Sequence, residues 1–191
     1  PAEVVEACRE LAESGVNLLD LTMGEDPLMH DRGEFETLVE LVAAVKQATS
    51  LPIMISPGVV PASVLHRLKE AGADFYACYQ ETHTPSLFTR LRVGQSFERR
   101  VEARIAAHRE GFLVEDGLLV GVGETDADRA RSLFAMQSAR DQQVRVMTLV
   151  PQRDTPLGRL TPPSTLAELL LIAAMRLLMP ARLIPASLDV E

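Results

Sequence analysis

Apolar stretches of helical and of strand periodicity alternate along this chain, and that alternation constrains the fold more than any other feature. Helical spacing over Glu3 to Ser14 stops at Gly15, and Val16 to Thr22 reads as a strand. Phe35 to Gln47 is a helix and Pro52 to Ser56 a strand. A helix from Pro61 to a Gly72 cap leads into the strand Asp74 to Tyr79. Ser96 to Arg109, with a stop at Gly111, precedes the strand Phe112 to Val120. Thr125 and Asp128 form a capping box for a helix to Ala139, followed by the strand Val144 to Val150. Thr165 with Glu168 caps a helix ending before Pro180, and Arg182 to Leu188 is the last strand. The pattern predicts six strands and six helices, helix first.

Repeated βα units with apolar strands call for a parallel sheet covered by helices. Polar residues stand where the strands end: Gly24-Glu25-Asp26, Ser56-Pro57-Gly58, Gln80-Glu81-Thr82, Gly121 to Glu124, Gln152 to Thr155, and Ser187 with Asp189. In a barrel all such ends converge on one mouth, whereas a doubly wound sheet gathers its site at a switch point. The expectation is an α/β fold, a partial (β/α)8 TIM barrel of about six βα units, forming a single domain over residues 1–191. A complete barrel takes roughly 250 residues. With 191 residues, a helix at the start and a strand at the end, the chain reads as an internal stretch lacking a first and a final strand.

The net charge of −8 and the presence of only two lysines, Lys46 and Lys69, argue against nucleic-acid binding. The longest apolar run, from Leu169, is broken by Arg176 and is too short for a bilayer. No signal peptide is visible, so the cytoplasm is the expected compartment. Cys8 and Cys78 have no metal-binding spacing and read as buried, reduced thiols.

Three strands carry an ionised residue inside an apolar run: Asp20, Arg145 in "VRVMT", and Asp189 in "IPASLD". A buried charge is costly unless partnered. One reading is a structural Arg–Asp pair. The other counts two carboxylates and one guanidinium, with Ser187 nearby, as the complement of a ligand bearing two ammonium groups and one carboxylate, such as lysine.

Other motifs carry less. "GVGETD" from Gly121 lacks the last glycine of a dinucleotide fingerprint and reads as a tight turn that also lets a flat ligand approach the backbone. His30, His66, His83 and His108 have no metal spacing, and no GxSxG is present. Neither lysine ends a strand, which removes a Schiff-base nucleophile. The arginines of "RLRVGQSFERR" read as a solvated helix start, with Arg92 or Arg100 able to reach a ligand carboxylate.

The segments "DLTMGEDP", "LPIMISPGV", "YQET", "LRVGQSFERR", "VEDGLLVGVG", "VRVMTLVPQRDTPL" and "LIPASLD" together resemble the methylornithine synthase family of pyrrolysine biosynthesis. Its members are biotin-synthase-like radical S-adenosylmethionine mutases. The resemblance implies a rearrangement of L-lysine to 3-methyl-D-ornithine, started when a 4Fe-4S cluster cleaves S-adenosylmethionine to a hydrogen-abstracting radical. It implies an electron donor for the cluster as a partner, a lysine-like substrate, and neither nucleic acid nor membrane. By the same resemblance, Gly24 and Glu25 meet the amino end of the cofactor, Glu81 and Arg100 its polar groups, and Ser56, Leu119 and Gly121 line its remainder. Asp20, Arg145, Ser187 and Asp189 match substrate positions; no catalytic residue is assigned. The family's CxxxCxxC loop is not in the sequence and is expected just before Pro1, so the isolated chain is expected to bind no cluster and to be inactive. A cluster-free barrel binding a basic amino acid, an inert piece with aggregating sheet edges, and a related radical enzyme with another substrate are the alternatives.

Overall fold

The computed structural model describes residues 2–185 of the chain. Its elements follow the order α1 (Ala2–Glu13), β1 (Leu19–Thr22), α2 (Pro27–Arg32), α3 (Glu36–Thr49), β2 (Ile53–Ser56), α4 (Ala62–Glu70) and β3 (Phe75–Ala77). Then come α5 (Pro85–Leu91), α6 (Phe97–Arg109), β4 (Leu113–Val120), α7 (Asp126–Ala139), β5 (Gln143–Thr148) and α8 (Thr165–Leu178). The strands are hydrogen-bonded in chain order, β1-β2-β3-β4-β5. Parallel strands in sequence order, each joined to the next by helix, are the α/β arrangement of a partial TIM barrel.

Three local expectations need correction. Helices α2 and α5 have no counterpart in the sequence reading, because six and seven residues are too few to show a helical period. Both start on a proline whose missing N–H costs nothing in a first turn. Helix α8 is capped by Ser164 rather than Thr165: the Ser164 hydroxyl accepts from the Ala167 N–H at 3.3 Å. Glu168 is instead buried and accepts the Thr148 hydroxyl at 2.7 Å. The described residues form five strands where six were expected. Of the sixth, Leu183 makes a parallel bridge to Gln143, and residues from 186 onward lie outside the described part.

The chain divides into two compact units, Pro1–Cys78 with Arg99–Val114, and Tyr79–Glu98 with Glu115 onward. In the first unit β2 lies between β1 and β3, in register Leu19↔Ile53 and Met54↔Phe75. Ile53, Met54 and Ile55 of this central strand are wholly buried, since both of its faces are covered. Val42 and Val45 of α3 and Leu65 and Leu68 of α4 complete the core. Asp74, beside the start of β2, accepts from Lys46 Nζ at 2.9 Å and from the Ile53 N–H at 3.0 Å.

Strand β1 behaves differently, and it corrects the reading of Asp20. Leu19 and Leu21 are buried while Asp20 and Thr22 are exposed, so only one face of this strand is covered. Asp20 therefore carries no burial penalty, and no counter-ion is needed to keep it there.

The second unit packs Leu118 and Val120 of β4, Val144 and Val146 of β5, Met136 of α7 and Met175 of α8. Thr125 and Asp128 form the expected capping box, each side chain bonding the other's N–H.

Leu65 is fully buried on α4 against the first unit's core. Leu65→Ala is expected to lower unfolding stability by about 2–5 kcal/mol, read from urea denaturation midpoints at unchanged slope.

Candidate functional site

In the first unit the loop after β1 brings Glu25 to Arg100 of α6, Oε1 to Nη1 at 3.2 Å. The Arg100 side chain is 5% exposed and that of Glu25 28%. Arg100 is thus not part of a solvated helix start. Glu25 also accepts the Val59 N–H at 3.3 Å. It passes directly over Gly58, where a Cβ would sit 2.1 Å from Glu25 Cγ and where φ is +77°. Only glycine meets both requirements there. Gly24 is exposed. Ser56, closing β2, accepts the Met23 N–H at 3.2 Å and so ties the ends of β1 and β2. Arg104, one turn after Arg100 and also buried, donates to the Cys78 carbonyl at 2.8 Å.

In the second unit Glu81 is buried in a left-handed conformation, φ +64°. Its N–H donates to Gly117 O at 3.0 Å and its carbonyl accepts the Leu119 N–H at 2.8 Å, making a parallel bridge to Leu118. Its carboxylate pairs with Arg92. The turn at Gly121 holds the chain's own carboxylate: Glu124 accepts from the N–H groups of Gly121 at 3.0 Å and Val122 at 2.9 Å, and from Arg129 Nη2 at 2.7 Å. Burial pushes the Glu124 carboxyl up, but donation by Gly121, Arg129 and Val122 outweighs it and holds it below the ordinary range. Pro163 covers Gly121, its Cδ 2.6 Å from where a Cβ would stand.

Arg145 on β5 bonds a glutamate. Its Nε donates to Glu115 Oε1 of β4 at 2.8 Å, and the Glu115 side chain is wholly buried. Gln143 Nε2 donates to the same oxygen at 2.8 Å and the Tyr79 hydroxyl to Oε2 at 2.8 Å. Beside this network Asp116, also buried, accepts the Gln80 N–H at 2.7 Å and lies 3.1 Å from His83 Nε2. Glu115, Tyr79 and Gln143 were missed. The signal was present, two successive acids in the apolar strand "LVEDGLLV", but only the register Gly117↔Arg145 says which one faces the arginine. Ser187 and Asp189 lie outside the described residues.

Cys8 and Cys78 are both buried. Among the described residues no group of three or more His, Cys, Asp or Glu side chains is gathered as metal ligands would be. Nor, among these residues, is any helix long and apolar enough to cross a membrane.

Residues 1–136 match the family described as the Radical SAM superfamily. The chain belongs to the radical SAM superfamily. Along 189 residues it is 48% identical to 3-methylornithine synthase of Methanosarcina acetivorans, covering 99% of this chain and 53% of that protein. It is 29% identical over 188 residues to the [FeFe] hydrogenase maturase subunit HydE of Thermotoga maritima, covering 98% and 53%. The crystal structure of methylornithine synthase (PylB) superposes with a TM-score of 0.93 at 47% identity, covering all of this chain and 56% of that one. The radical SAM chain thus spans about half the length of the curated relatives it matches, and the resemblance seen in its motifs extends along nearly the whole sequence.

One acidic group of the second unit is strongly perturbed. The Thr84 hydroxyl at 2.6 Å, and then the Thr125 N–H and hydroxyl at 2.8 Å, hold the Asp128 carboxyl down to about 2 from 3.8. Because the folded value lies below the unfolded one, Asp128 stabilises the fold above about pH 4, and that contribution fades as pH falls toward 2. Asp128→Asn is expected to flatten this part of the acid-unfolding curve. In the parent chain an NMR titration should place Asp128 near 2, and a midpoint near 3.8 would show that Thr84 and Thr125 do not hold it.

Proposed function

We propose that this protein is a radical S-adenosylmethionine mutase that converts L-lysine to 3-methyl-D-ornithine in pyrrolysine biosynthesis. The observation that carries this reading is the identity to 3-methylornithine synthase along nearly the whole chain. The charges agree with it. Arg145 offers a guanidinium for a carboxylate. Asp20, exposed on β1, offers a carboxylate for an ammonium group. Together with Ser187 and Asp189, these residues are proposed to hold the ammonium and carboxylate groups of the amino acid.

S-Adenosylmethionine supplies this superfamily with a hydrogen-abstracting radical, and its methionine end is a zwitterion. Glu25 and Arg100 provide the two complementary charges 3.2 Å apart, which fits that end: the carboxylate for its ammonium, the guanidinium for its carboxylate. Gly24, the residue before Glu25, is proposed to meet the amino end. Glu81, Leu119, Gly121 and Ser56 are proposed as further contacts. An iron–sulfur cluster with one open iron needs three thiolates. Cys8 and Cys78 do not supply three, so this chain's own residues do not fit the cluster. The substrate and an electron donor are the partners in this reading, and the cytoplasm is its compartment.

The decisive assay incubates the protein, as it occurs in its source organism, with isotopically labelled lysine, S-adenosylmethionine and a reductant. Labelled 3-methylornithine is the expected product. Lysine bound but left unchanged would favour a cluster-free binder of basic amino acids, and turnover of a different substrate would favour a related radical enzyme. Glu25→Gln and Gly58→Ala are each expected to weaken S-adenosylmethionine binding about tenfold or more, measured by calorimetry, since each removes or displaces a charge-assisted contact.

A further inference from the structure

We propose that Glu115 is the positioning residue for Arg145, orienting its guanidinium to receive the carboxylate of an α-amino acid ligand. This rests on the reading of Arg145 as the carboxylate's partner. The pair is asymmetric: the Glu115 side chain is wholly buried, while that of Arg145 keeps 21% of its surface exposed. The carboxylate of the pair is enclosed, while the arginine side chain keeps contact with solvent.

The anchor is specific. Glu115 Oε1 accepts from Arg145 Nε and Gln143 Nε2, and Oε2 from the Tyr79 hydroxyl, each at 2.8 Å. Nε is the guanidinium nitrogen bonded to the aliphatic stem, so a bond at that position restrains rotation of the whole planar group. The Tyr79 ring gives a second restraint, with Arg145 Cζ 5.7 Å from its centroid. Gly117, the register partner of Arg145, leaves the room this needs. A Cβ there would come within 2.9 Å of Met147 Cε and 3.2 Å of Tyr79 Cδ1 and of the Arg145 carbonyl.

Charge and geometry predict opposite effects at this position, which makes the proposal decidable. Removing the Glu115 charge raises the attraction of Arg145 for an anion. Removing the orientation lowers it. The experiment compares the affinity of the protein, as it occurs in its source organism, for L-lysine and for 1,5-diaminopentane, the same skeleton without the carboxylate. Glu115→Gln is expected to weaken lysine binding about tenfold and to leave diamine binding within about twofold. Unchanged or tighter lysine binding overturns the proposal, as does equal weakening of both ligands, which a purely structural carboxylate would produce. If Glu115→Gln does not fold, Tyr79→Phe makes the same test: weakening confined to lysine supports the proposal, and an equal effect on both ligands overturns it. Arg145→Met separates the premise from the inference. Lysine affinity unchanged in that variant removes the role of Arg145 itself, whereas a loss there with none in Glu115→Gln removes only the positioning.

Discussion

A parallel strand cannot return to its neighbour through a tight turn, and the rest of this structure depends on that constraint. Each strand must be followed by a crossover that brings the chain back to the same end of the sheet, and a helix is the crossover that satisfies its own backbone. The helices then cover the sheet, so a central strand such as β2 is apolar at Ile53, Met54 and Ile55. Polar side chains are displaced to the carboxyl ends of the strands. Glu25 follows β1, Ser56 closes β2, Glu81 follows β3 and Glu124 follows β4. Glu115 and Asp116 of β4 and Arg145 of β5 stand inside strands instead.

The acids that are buried show how such groups are kept. Glu115 accepts from an arginine, an amide and a phenol; Asp116 accepts from a backbone N–H and contacts a histidine. Glu124 is held by two backbone N–H groups and Arg129. In each case the donors offset the hydration lost on burial.

Glycine serves two different ends in this fold. At Gly58 and Gly117 the missing side chain makes room for Glu25 and Tyr79, so the glycine acts on a neighbour. At Gly121 a positive φ turns the backbone so that its N–H meets Glu124, and the space above is filled by Pro163. In this turn the N–H groups of Gly121 and Val122 are taken up by Glu124.

Periodicity and capping were legible in the sequence because they are local: the helix–strand alternation, the Thr125–Asp128 capping box and the breaks at Gly15, Gly72 and Gly111 depend on neighbours a few residues apart. The family was legible as well, since its motifs are contiguous strings. Helices α2 and α5 were too short to show a period. The partner of Arg145 was hidden for another reason. Two adjacent acids point to opposite faces of β4, and nothing local says which of the two faces also carries Arg145. The same holds for Asp20, whose exposure follows from β1 having one covered face, and for Arg100, buried by a pairing with Glu25 from 75 residues away. The sequence by itself determined which residue types stand at the strand ends and which of the longer segments form helices and strands. Only the tertiary structure decided which charges are buried and with whom, because burial and pairing are set by strand register and helix packing between distant segments.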